Sequence, residues 1–398
     1  MWIGRDIVDS LREVVGSRPV ALLTGSRQSG KTSLLRRAFS EHHYVSLDLP
    51  ADAEEAEEDG LRFLDRHGRP LIIDEVQYAP RLLRFIKAVV DRDRERSGQF
   101  ILTGSQKLSL MAGVTESLAG RISLLDLYSL SLSELEHGLG ERAEGETFWR
   151  WLHCGGYPEL HARGLDPVRF YSDYVATYLE RDVRQALQVR NLRDFDRFLR
   201  LCALRTGQLV NANALAVEVG VAATTIKSWL NVLEASTVIL LLPPYFRNAG
   251  KRLVKTPKLY FLDTGLACFL AGLRAPRDIE ASALRGALFE TQVVGQIVRY
   301  FANQGRAGDL CFYRDHHGTE VDLVRFSGER LHLIECKVAE SPNSHVPAFE
   351  QLAAIYGEQN IMARTIITPR RGHRWTRGVQ FDDCVELASL GAGWIVAG

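Results

Sequence analysis

The chain has 398 residues and a formal net charge of zero, with 46% hydrophobic and 25% charged residues. This length and composition are typical of a globular protein of about two to three domains. The zero net charge excludes nucleic-acid binding by overall charge, so any DNA contact has to come from local basic patches.

The six cysteines are far apart in the chain and form no Cys-x-x-Cys pair. Neither a zinc site nor a disulfide framework is therefore indicated, and reduced thiols are favoured. The first residues lack the apolar core of a signal peptide, and no apolar run approaches the roughly 20 residues of a membrane span. We therefore expect a cytoplasmic protein without a membrane partner.

Short apolar strands separated by helices organise the first part of the chain. A helix is expected over residues 6–15. The expected strands are Val20–Leu23, Tyr44–Asp48, Leu71–Glu75 and Phe100–Ser105. Continuous apolar strands that alternate with helices predict a parallel sheet covered on both faces. The acidic stretch Asp52–Asp59 favours a solvated face, with a partner-binding site as the alternative.

A complete phosphate-binding loop follows the first strand. The stretch Gly25–Thr32 fits Gly-x4-Gly-Lys-Ser/Thr and lies between a strand and a helix, the context that makes this motif specific. In such a loop backbone N–H groups cradle phosphate oxygens, Lys31 bridges the β- and γ-phosphates, and Thr32 ligates Mg²⁺. We therefore expect ATP and Mg²⁺ as cofactors. The predicted nucleotide-binding residues of the loop are Gly25, Ser26, Arg27, Gln28, Ser29, Gly30, Lys31 and Thr32.

An acidic pair, Asp74-Glu75, ends the third apolar strand. Asp74 is expected to hold Mg²⁺ through water, and Glu75 to polarise the attacking water. A buried acidic strand end without catalytic role is the alternative. The next strand ends in Ser105, or in Thr103 just before it, and either hydroxyl could sense the γ-phosphate. A simple strand-end hydroxyl is the other interpretation.

A helix-turn-helix pattern covers residues 211–236. The first helix ends at Gly220, and the second spans residues 224–235 with apolar residues at helical spacing on its inner face. The outer face is left with short donors suited to a DNA groove or to phosphates. The predicted DNA-contacting residues of this helix are Thr225, Lys227, Ser228 and Asn231.

A basic strip follows the apolar strand Val238–Leu242, in the position of a β-hairpin wing. Lysine is scarce elsewhere in the chain, so clustered basic residues at this place indicate contact with phosphates. The predicted contacts are Lys251, Arg252, Lys255 and Lys258. A winged helix used for structure or subunit packing is the alternative.

Acidic residues with nuclease-like spacing mark a C-terminal α/β unit. Glu290 lies on an apolar helix, Asp322 on a strand, and Glu335 on the partner strand beyond a turn. Carboxylates at this spacing bind Mg²⁺ or Mn²⁺. Lys337 points to the same face as Glu335 and can position the nucleophilic water. Catalysis by Asp322, Glu335 and Lys337 is one interpretation, and a fold kept as a DNA-binding platform is the other.

On these motifs the chain resembles the widespread bacterial and archaeal AAA-type ATPases that carry a C-terminal domain of unknown function with a PD-(D/E)xK nuclease-like core. The matching stretches span nearly the whole chain. They are Gly25–Thr32, Leu71–Gln77, Ser117–Arg121, Gly155–Glu159, Tyr178–Asp182, Lys251–Asp263 and Glu320–Lys337. The resemblance implies ATP binding, assembly into a hexameric or similar ring, and action on nucleic acid, often suspected to be branched DNA.

The resemblance also implies an α/β fold in four parts. These are an AAA-type ATPase core with a parallel sheet (1–140), a helical lid (141–200), a winged helix-turn-helix (201–275) and a restriction-endonuclease-like domain (276–398).

Two further residues take a role from the resemblance. In AAA-type ATPases an arginine at the place of Arg121 reaches the γ-phosphate of the neighbouring subunit, and such a finger can supply on the order of 10³–10⁵ in rate. The segment Gly156-Tyr157-Pro158 resembles the Gly-x-Pro element that contacts the nucleotide base in related signalling ATPases. A structural arginine and a plain turn between helices are the alternatives.

Three functions fit the pattern. The first is an oligomeric ATP hydrolase that binds and remodels duplex or branched DNA, such as the Holliday junction of recombination and repair, with cleavage as an optional second activity. The second is a nucleotide-operated switch with slow turnover and a non-catalytic nuclease-like domain. The third is an ATP-dependent nuclease that defends against foreign DNA.

Overall fold

The computed structural model describes residues 1–105, 117–179, 192–245, 256–339, 343–387 and 390. Three of the expected DNA contacts, Lys251, Arg252 and Lys255, lie outside the described residues, as does the end of the matching stretch Tyr178–Asp182.

The helices of the described residues lie mostly within the first three hundred positions of the chain. They are α1 (Val8–Ser17), α2 (Lys31–Ala38), α3 (Pro50–Glu58), α4 (Gly60–His67), α5 (Leu82–Arg92), α6 (Leu132–Leu139), α7 (Gly145–Cys154), α8 (Pro158–Arg163), α9 (Pro167–Tyr174), α10 (Leu192–Ala203), α11 (Ala212–Val219), α12 (Ala223–Ala235), α13 (Thr264–Leu270), α14 (Pro276–Ala281), α15 (Arg285–Asn303) and α16 (Pro347–Tyr356).

The strands of the described residues form three sheets. They are β1 (Val20–Thr24), β2 (His43–Ser46), β3 (Leu71–Asp74), β4 (Phe100–Gly104), β5 (Ile122–Asp126), β6 (Gln208–Leu209), β7 (Ile239–Leu242), β8 (Lys258–Phe261), β9 (Leu310–Arg314), β10 (Glu320–Ser327), β11 (Arg330–Cys336), β12 (Ile361–Thr368), β13 (Arg374–Thr376) and β14 (Val379–Asp383).

The N-terminal sheet is parallel throughout and has the order β2-β3-β4-β1-β5. Alternate residues of each strand point to opposite faces. Leu22 and Ile73 pack against α4 and α5 on one face, whereas Ala21 and Leu23 pack against α1 and α2 on the other. The predicted parallel sheet covered on both faces is therefore confirmed.

The expected pair of helices in the middle of the chain is also observed. Helix α11 ends before Gly220, whose φ of 88° is the left-handed conformation that glycine adopts without strain. Helix α12 then buries the apolar residues of its inner face, Ile226 and Leu230 among them. Strands β6, β8 and β7 form an antiparallel sheet beside the two helices, with β8 in the centre.

The C-terminal sheet is mixed and has the order β13-β14-β12-β11-β10-β9. Strands β9, β10 and β11 run antiparallel to one another, and β11 pairs with β12 in parallel through the crossover helix α16. The expected C-terminal α/β unit is thus present. One apolar cluster links it to the helices before it, because Phe148, Trp229, Phe289 and Ile334 belong to a single buried core.

Candidate functional site

The loop between β1 and α2 has room only for glycine at its first position. A Cβ atom added to Gly25 would lie 2.1 Å from the carbonyl oxygen of Leu127, which is far inside contact distance. Gly30, the residue before α2, has a φ of 95° and is left-handed. As the N-cap residue, Gly30 has no side chain that could cap the first N–H groups of this helix. Such N–H groups are the donors that bind phosphate at a helix N-terminus.

Lys31 lies over the loop. Its ammonium donates hydrogen bonds of 3.0 Å to the carbonyl oxygens of Gly25 and Ser26, and the side chain is buried. The hydroxyl oxygen of Ser29 is buried in the same loop and has no partner among the described residues. A buried hydroxyl without a partner is costly unless a ligand completes it. The loop therefore fits an anionic, phosphate-bearing ligand.

A cavity of about 500 Å³ opens beside the loop. Arg27, Gln28 and Gly30 line it together with Pro158, the residue that the resemblance places near a nucleotide base. The structure thus brings the glycine loop and the Gly-Tyr-Pro segment into one pocket. The indole of Trp2 forms another part of the wall, which the sequence pattern did not indicate.

Asp74 accepts hydrogen bonds from three hydroxyl groups beside the phosphate-binding loop. Its Oδ2 accepts hydrogen bonds from the hydroxyls of Thr32 (2.6 Å) and Tyr44 (2.9 Å), and its Oδ1 accepts one from the hydroxyl of Thr103. Burial and the nearby Asp74 carboxylate raise the pKa of Tyr44, so this phenol stays a donor. The hydroxyl of Thr32 and the carboxylate of Asp74 are the pair expected to hold Mg²⁺, and their proximity fits that ion.

Glu75 has left-handed backbone, with a φ of 55°, so its side chain turns away from the end of β3. Its N–H donates a 3.2 Å hydrogen bond to the hydroxyl of Thr103. The hydroxyl of Ser105 lies 3.3 Å from Oε2 of Glu75, and the side chain of Gln77 also donates to that oxygen. The two expected sensor hydroxyls therefore contact the acidic pair directly.

Besides Trp2, sequence reasoning missed Tyr44 and Arg5 at this site. Tyr44 reaches Asp74 because β2 pairs with β3. The residue pattern of a single strand does not show which strand lies beside it, so this contact could not be predicted. Arg5 is buried and donates to the carbonyl oxygens of Ser29 (2.8 Å) and Tyr128 (2.7 Å). It thereby ties the N-terminal segment to the phosphate-binding loop, and its sequence neighbours show no motif.

Arg121 lies at the end of the sheet where the strands begin, whereas the phosphate-binding loop lies at the end where they finish. It precedes β5, which pairs in parallel with β1 so that Ile122 lies beside Val20. Since a strand advances about 3.3 Å per residue, the length of β1 separates Arg121 from the loop of its own chain by roughly 15 Å. Its guanidinium binds Asp91 through two hydrogen bonds, of 2.6 Å and 3.1 Å.

The outer face of α12 agrees with the expected orientation. Lys227 and Asn231 are exposed, and Thr225 and Ser228 are partly exposed. The hydroxyl of Ser228 donates to the carbonyl oxygen of Thr224 one turn earlier, which leaves the hydroxyl oxygen on the helix surface.

Four carboxylates meet where α15, β10 and β11 come together, and we call them the acidic centre: Glu290, Glu320, Asp322 and Glu335. Glu290, Asp322 and Glu335 were expected here. Glu320 was missed, although the alternation of a strand places it on the same face as Asp322. The amide of Cys336 donates a 2.8 Å hydrogen bond to Oδ2 of Asp322. The ammonium of Lys337 lies 2.6 Å from Oε1 of Glu335, so the two side chains share one face, as expected.

The expectation that Lys258 contacts DNA is contradicted by the structure. Its side chain is 2% exposed, and its ammonium lies 3.0 Å from Glu290 and 2.5 Å from Glu320, with Asp322 at 4.0 Å. Burial alone would lower the pKa of this ammonium, but the three carboxylates raise it above its ordinary value. Lys258 is therefore a buried cation of the acidic centre and not a surface residue.

Crowding and burial shift the acidic centre toward protonation. Burial and the neighbouring Asp322 carboxylate raise the pKa of Glu290 to about 7, and the same two causes raise the pKa of Glu335 to about 7. Burial also raises the pKa of Asp322. Carboxylates close together in a desolvated site cannot all ionise without cations among them.

The acidic centre does not fit a divalent metal ion as it stands. Among the described residues, no three His, Cys, Asp or Glu side chains are arranged to hold one. Oε2 of Glu335 is buried without a described partner, but Oε1 is bound by Lys337. The space between Glu290 and Asp322 is filled by the ammonium of Lys258. Glu290, Asp322 and Glu335 were predicted to be metal ligands, but their side chains are not arranged to hold one metal ion together.

A buried carboxylate links the nucleotide pocket to the later part of the chain. Asp263, which precedes α13, accepts hydrogen bonds from the amide of Gly156 (2.9 Å) and the hydroxyls of Ser129 (2.8 Å) and Tyr171 (2.7 Å). The buried guanidinium of Arg299 on α15 donates to the same Ser129 hydroxyl. Asp263 thereby connects the Gly-Tyr-Pro segment to β8, which ends two residues before it.

Family models match three stretches of the chain. Residues 17–136 match an AAA domain, residues 145–277 match a domain of unknown function (DUF8612), and residues 285–380 match a further domain of unknown function (DUF4143). The AAA match confirms the predicted AAA-type ATPase domain at the phosphate-binding loop. The C-terminal match confirms a domain of unknown function and leaves its chemistry open.

Two curated proteins resemble most of the chain. They are the uncharacterized protein Rv2008c of Mycobacterium tuberculosis (strain ATCC 25618 / H37Rv) and the uncharacterized protein Mb2031c of Mycobacterium bovis (strain ATCC BAA-935 / AF2122/97). Each is 33% identical over 344 residues, which is 85% of this chain and 75% of the relative.

Solved structures resemble the chain more distantly. The Walker-type ATPase PABY2304 of Pyrococcus abyssi has a TM-score of 0.45 and 19% identity, over 67% of this chain and 94% of that one. A RuvB variant of Thermotoga maritima has a TM-score of 0.32 and 18% identity, over 61% of this chain and 90% of that one.

Within the described residues, no helix has the length and apolar character needed to cross a membrane.

Proposed function

The chain belongs to the family of the mycobacterial proteins Rv2008c and Mb2031c and carries an AAA-type ATPase domain, and from this premise we propose that it hydrolyses ATP as an oligomer that binds and remodels duplex or branched DNA. One observation carries the hydrolase assignment. Thr32, Asp74, Glu75 and Thr103 form one connected hydrogen-bond network beside the loop that Lys31 covers.

Each residue of the network has a distinct task in hydrolysis. The loop N–H groups and the Lys31 ammonium hold the phosphates, and Lys31 exchanges its loop carbonyl partners for phosphate oxygens. Thr32 and Asp74 would hold Mg²⁺, which supplies charge neutralisation at the β- and γ-phosphates. Glu75 orients a water and accepts its proton, since Glu75 borders the pocket.

The sensor hydroxyls fix the position of Glu75. Thr103 holds the backbone of Glu75, and Ser105 lies close to its carboxylate. A carboxylate held by several donors keeps one orientation toward the nucleophile, which is the condition for efficient proton transfer. Loss or gain of the γ-phosphate would thus change the contacts of Glu75 with Thr103 and Ser105, and through them the position of the end of β4.

The position of Arg121 supports an oligomer. The guanidinium lies far from the loop of its own chain, at the end of the sheet where a residue that completes a neighbouring subunit's site would lie. Its ion pair with Asp91 is partly exposed, and partly exposed pairs contribute little to stability. Exchange of Asp91 for a γ-phosphate of the next subunit would therefore cost little. We expect a hexameric or similar ring.

DNA binding is proposed for the helices and sheet between residues 192 and 261. The order α10-β6-α11-α12-β7-β8 supports a winged helix, in which the second paired helix enters a groove. Lys227 and Asn231 occupy the exposed face of that helix. The order α15-β9-β10-β11-α16-β12 likewise supports a nuclease-like fold for the last part of the chain.

The test is ATP hydrolysis in Mg²⁺ by wild type and Arg121→Ala, with no DNA, linear duplex or a four-way junction. Turnover that DNA stimulates and Arg121→Ala abolishes would support the oligomeric motor, and a preference for the junction would identify its substrate. Turnover indifferent to every DNA, with no DNA binding at low salt, would refute DNA remodelling.

A nucleotide-operated switch is the second candidate, and one observation favours it. Asp263 accepts a hydrogen bond from the amide of Gly156, two residues before the pocket residue Pro158, and lies in the loop after β8. Nucleotide state can therefore alter the middle of the chain without rapid turnover. If the protein is a switch, we expect it to hydrolyse ATP slowly and to bind about one ATP each time it is exposed to its trigger. The defence nuclease would require metal-dependent cleavage that is lost in Lys337→Ala and retained in Lys31→Ala, and the arrangement of the acidic centre does not favour it.

A further inference from the structure

Lys258 is placed rigidly inside the acidic centre. Strand β8 is the central strand of its sheet, and Lys258 is paired with Leu209 on one side and Leu242 on the other. Its backbone is thus held by two neighbours, while its side chain crosses to carboxylates of α15 and β10. The ring of Phe312 lies 5.5 Å from the ammonium and closes the site on another side.

The charges of the acidic centre are balanced by residues of the chain itself. The carboxylate of Glu320 is shared between Lys258 and Arg314, at 2.5 Å and 3.1 Å. The hydroxyl of Tyr260, two residues after Lys258 on the same strand, donates to Glu290. Buried carboxylates are stable only when cations and hydrogen-bond donors compensate them. Here Lys258 and Tyr260 of β8 supply part of that compensation, and Arg314 and Lys337 supply the rest.

A divalent ion would have to displace these donors. Mg²⁺ requires about six oxygen ligands at roughly 2.0–2.1 Å, so carboxylates that bind it converge on one point. The ammonium of Lys258 occupies the point between Glu290, Glu320 and Asp322. The ammonium and a divalent ion cannot both occupy that position, so metal binding there would require Lys258 to move out.

We propose that the ammonium of Lys258 is the resident cation of the acidic centre and lies among carboxylates expected from the sequence to bind a metal ion, so that the centre joins β8 to the C-terminal sheet and does not cut DNA. The acidic centre is thereby an internal clasp between two parts of the chain. This inference is independent of the proposed ATP hydrolysis, since none of its residues lines the nucleotide pocket.

The first test asks whether the centre binds metal. Mn²⁺ binding to the nucleotide-free protein is measured by electron paramagnetic resonance for wild type and Asp322→Asn, and nicking of supercoiled plasmid is assayed in Mg²⁺ and in Mn²⁺. Equal Mn²⁺ stoichiometry and no nicking above background in both proteins is the expected result. One Mn²⁺ per chain lost in Asp322→Asn, or nicking that Asp322→Asn removes, would overturn the proposal.

The second test asks whether Lys258 is the cation that matters. Lys258→Met should lower Tm by several degrees, and Mn²⁺ should restore part of that loss because the vacated carboxylates then bind it. The exposed Lys227→Met serves as the matched control and should leave Tm unchanged. Lys258→Met/Glu320→Gln removes one charge of each sign and should be more stable than Lys258→Met alone. A Tm of Lys258→Met equal to that of wild type would refute the clasp.

Discussion

The hydroxyl of Thr32 donates a 2.6 Å hydrogen bond to Oδ2 of Asp74, across 42 residues of chain. The first turn of α2 and the end of β3 are therefore joined before any nucleotide binds. The same carboxylate holds Tyr44 and Thr103, so three strands and a helix converge on one acidic group. A site organised in this way is ready for a magnesium-bound triphosphate, and its hydrolysis can be tested residue by residue.

Glu75→Gln should bind ATP with nearly unchanged affinity but hydrolyse it about 10²–10⁴-fold more slowly, because the amide cannot accept a proton from water. Phosphate release and the binding of a fluorescent ATP analogue measure the two effects separately. Glu54→Gln, on the exposed face of α3, is the control and should behave as wild type. Full turnover in Glu75→Gln would exclude Glu75 as the base.

Arg121→Ala should lose on the order of 10³–10⁵ in turnover, the contribution expected of an arginine that completes a neighbour's site. Mixing Arg121→Ala with Lys31→Ala should restore activity, since each subunit then supplies the part that the other lacks. The exposed Arg92→Ala is the control, as Arg92 lies on the same helix α5 as Asp91. If mixing restores nothing, Arg121 acts within its own chain or only stabilises it.

Asp263→Asn should lower the free energy of unfolding by at least about 2 kcal/mol, since hydrogen bonds to a charged group contribute about 1.5–3 kcal/mol each. An asparagine offers one oxygen where the carboxylate serves Gly156, Ser129 and Tyr171. Urea denaturation followed by fluorescence measures the change. Asp196→Asn breaks only a surface pair with Arg200 and should cost less than about 1 kcal/mol. Equal losses in both variants would argue against a special role for Asp263.

His332 predicts a particular dependence of stability on pH. The imidazole is fully buried between β11 and β12, beside the hydroxyl of Thr365, and burial lowers its pKa to about 3. Between the ordinary pKa near 6.5 and this value, only the unfolded chain binds the proton, so stability falls as pH falls. From pH 7 to pH 5 the loss should be about 2 kcal/mol.

The His332 contribution can be isolated by substitution. His332→Leu should remove this part of the acid sensitivity, whereas the exposed His317→Leu should retain it. Denaturation midpoints at pH 7, 6 and 5 give the comparison. Parallel pH profiles for wild type and His332→Leu would show that the buried imidazole is not the source.

Lys227→Ala should weaken DNA binding about equally for all sequences and reduce the slope of log affinity against log salt by about 1, as expected for one lost phosphate contact. Lys87→Ala, on α5 of the ATPase domain, should leave both quantities unchanged. Fluorescence anisotropy with a labelled duplex at several salt concentrations provides the slopes. An unchanged slope in Lys227→Ala would remove α12 from the DNA-binding surface.

Motifs of short range were predictable from the chain alone. The loop Gly25–Thr32 requires glycine at position 25, where the backbone meets Leu127, and the motif itself specifies glycine at that position. Asp74 and Glu75 end an apolar strand, and Gly220 ends a helix, so each could be placed from its immediate neighbours. Such features depend on local backbone conformation, which the sequence determines within a few residues.

The role of Lys258 was decided only by tertiary structure. In the sequence it belongs to a basic strip and predicts an exposed cation. In the fold it is buried, because β8 becomes a central strand and Glu290, 32 residues further along the chain, lies above it. Tyr44 and Arg5 likewise reach the nucleotide site through distant pairing. The local sequence pattern thus determined the phosphate-binding loop and its acidic pair. The partner of each buried charge was decided by long-range packing, because the residues next to a buried cation in the sequence do not show which distant carboxylates it will contact.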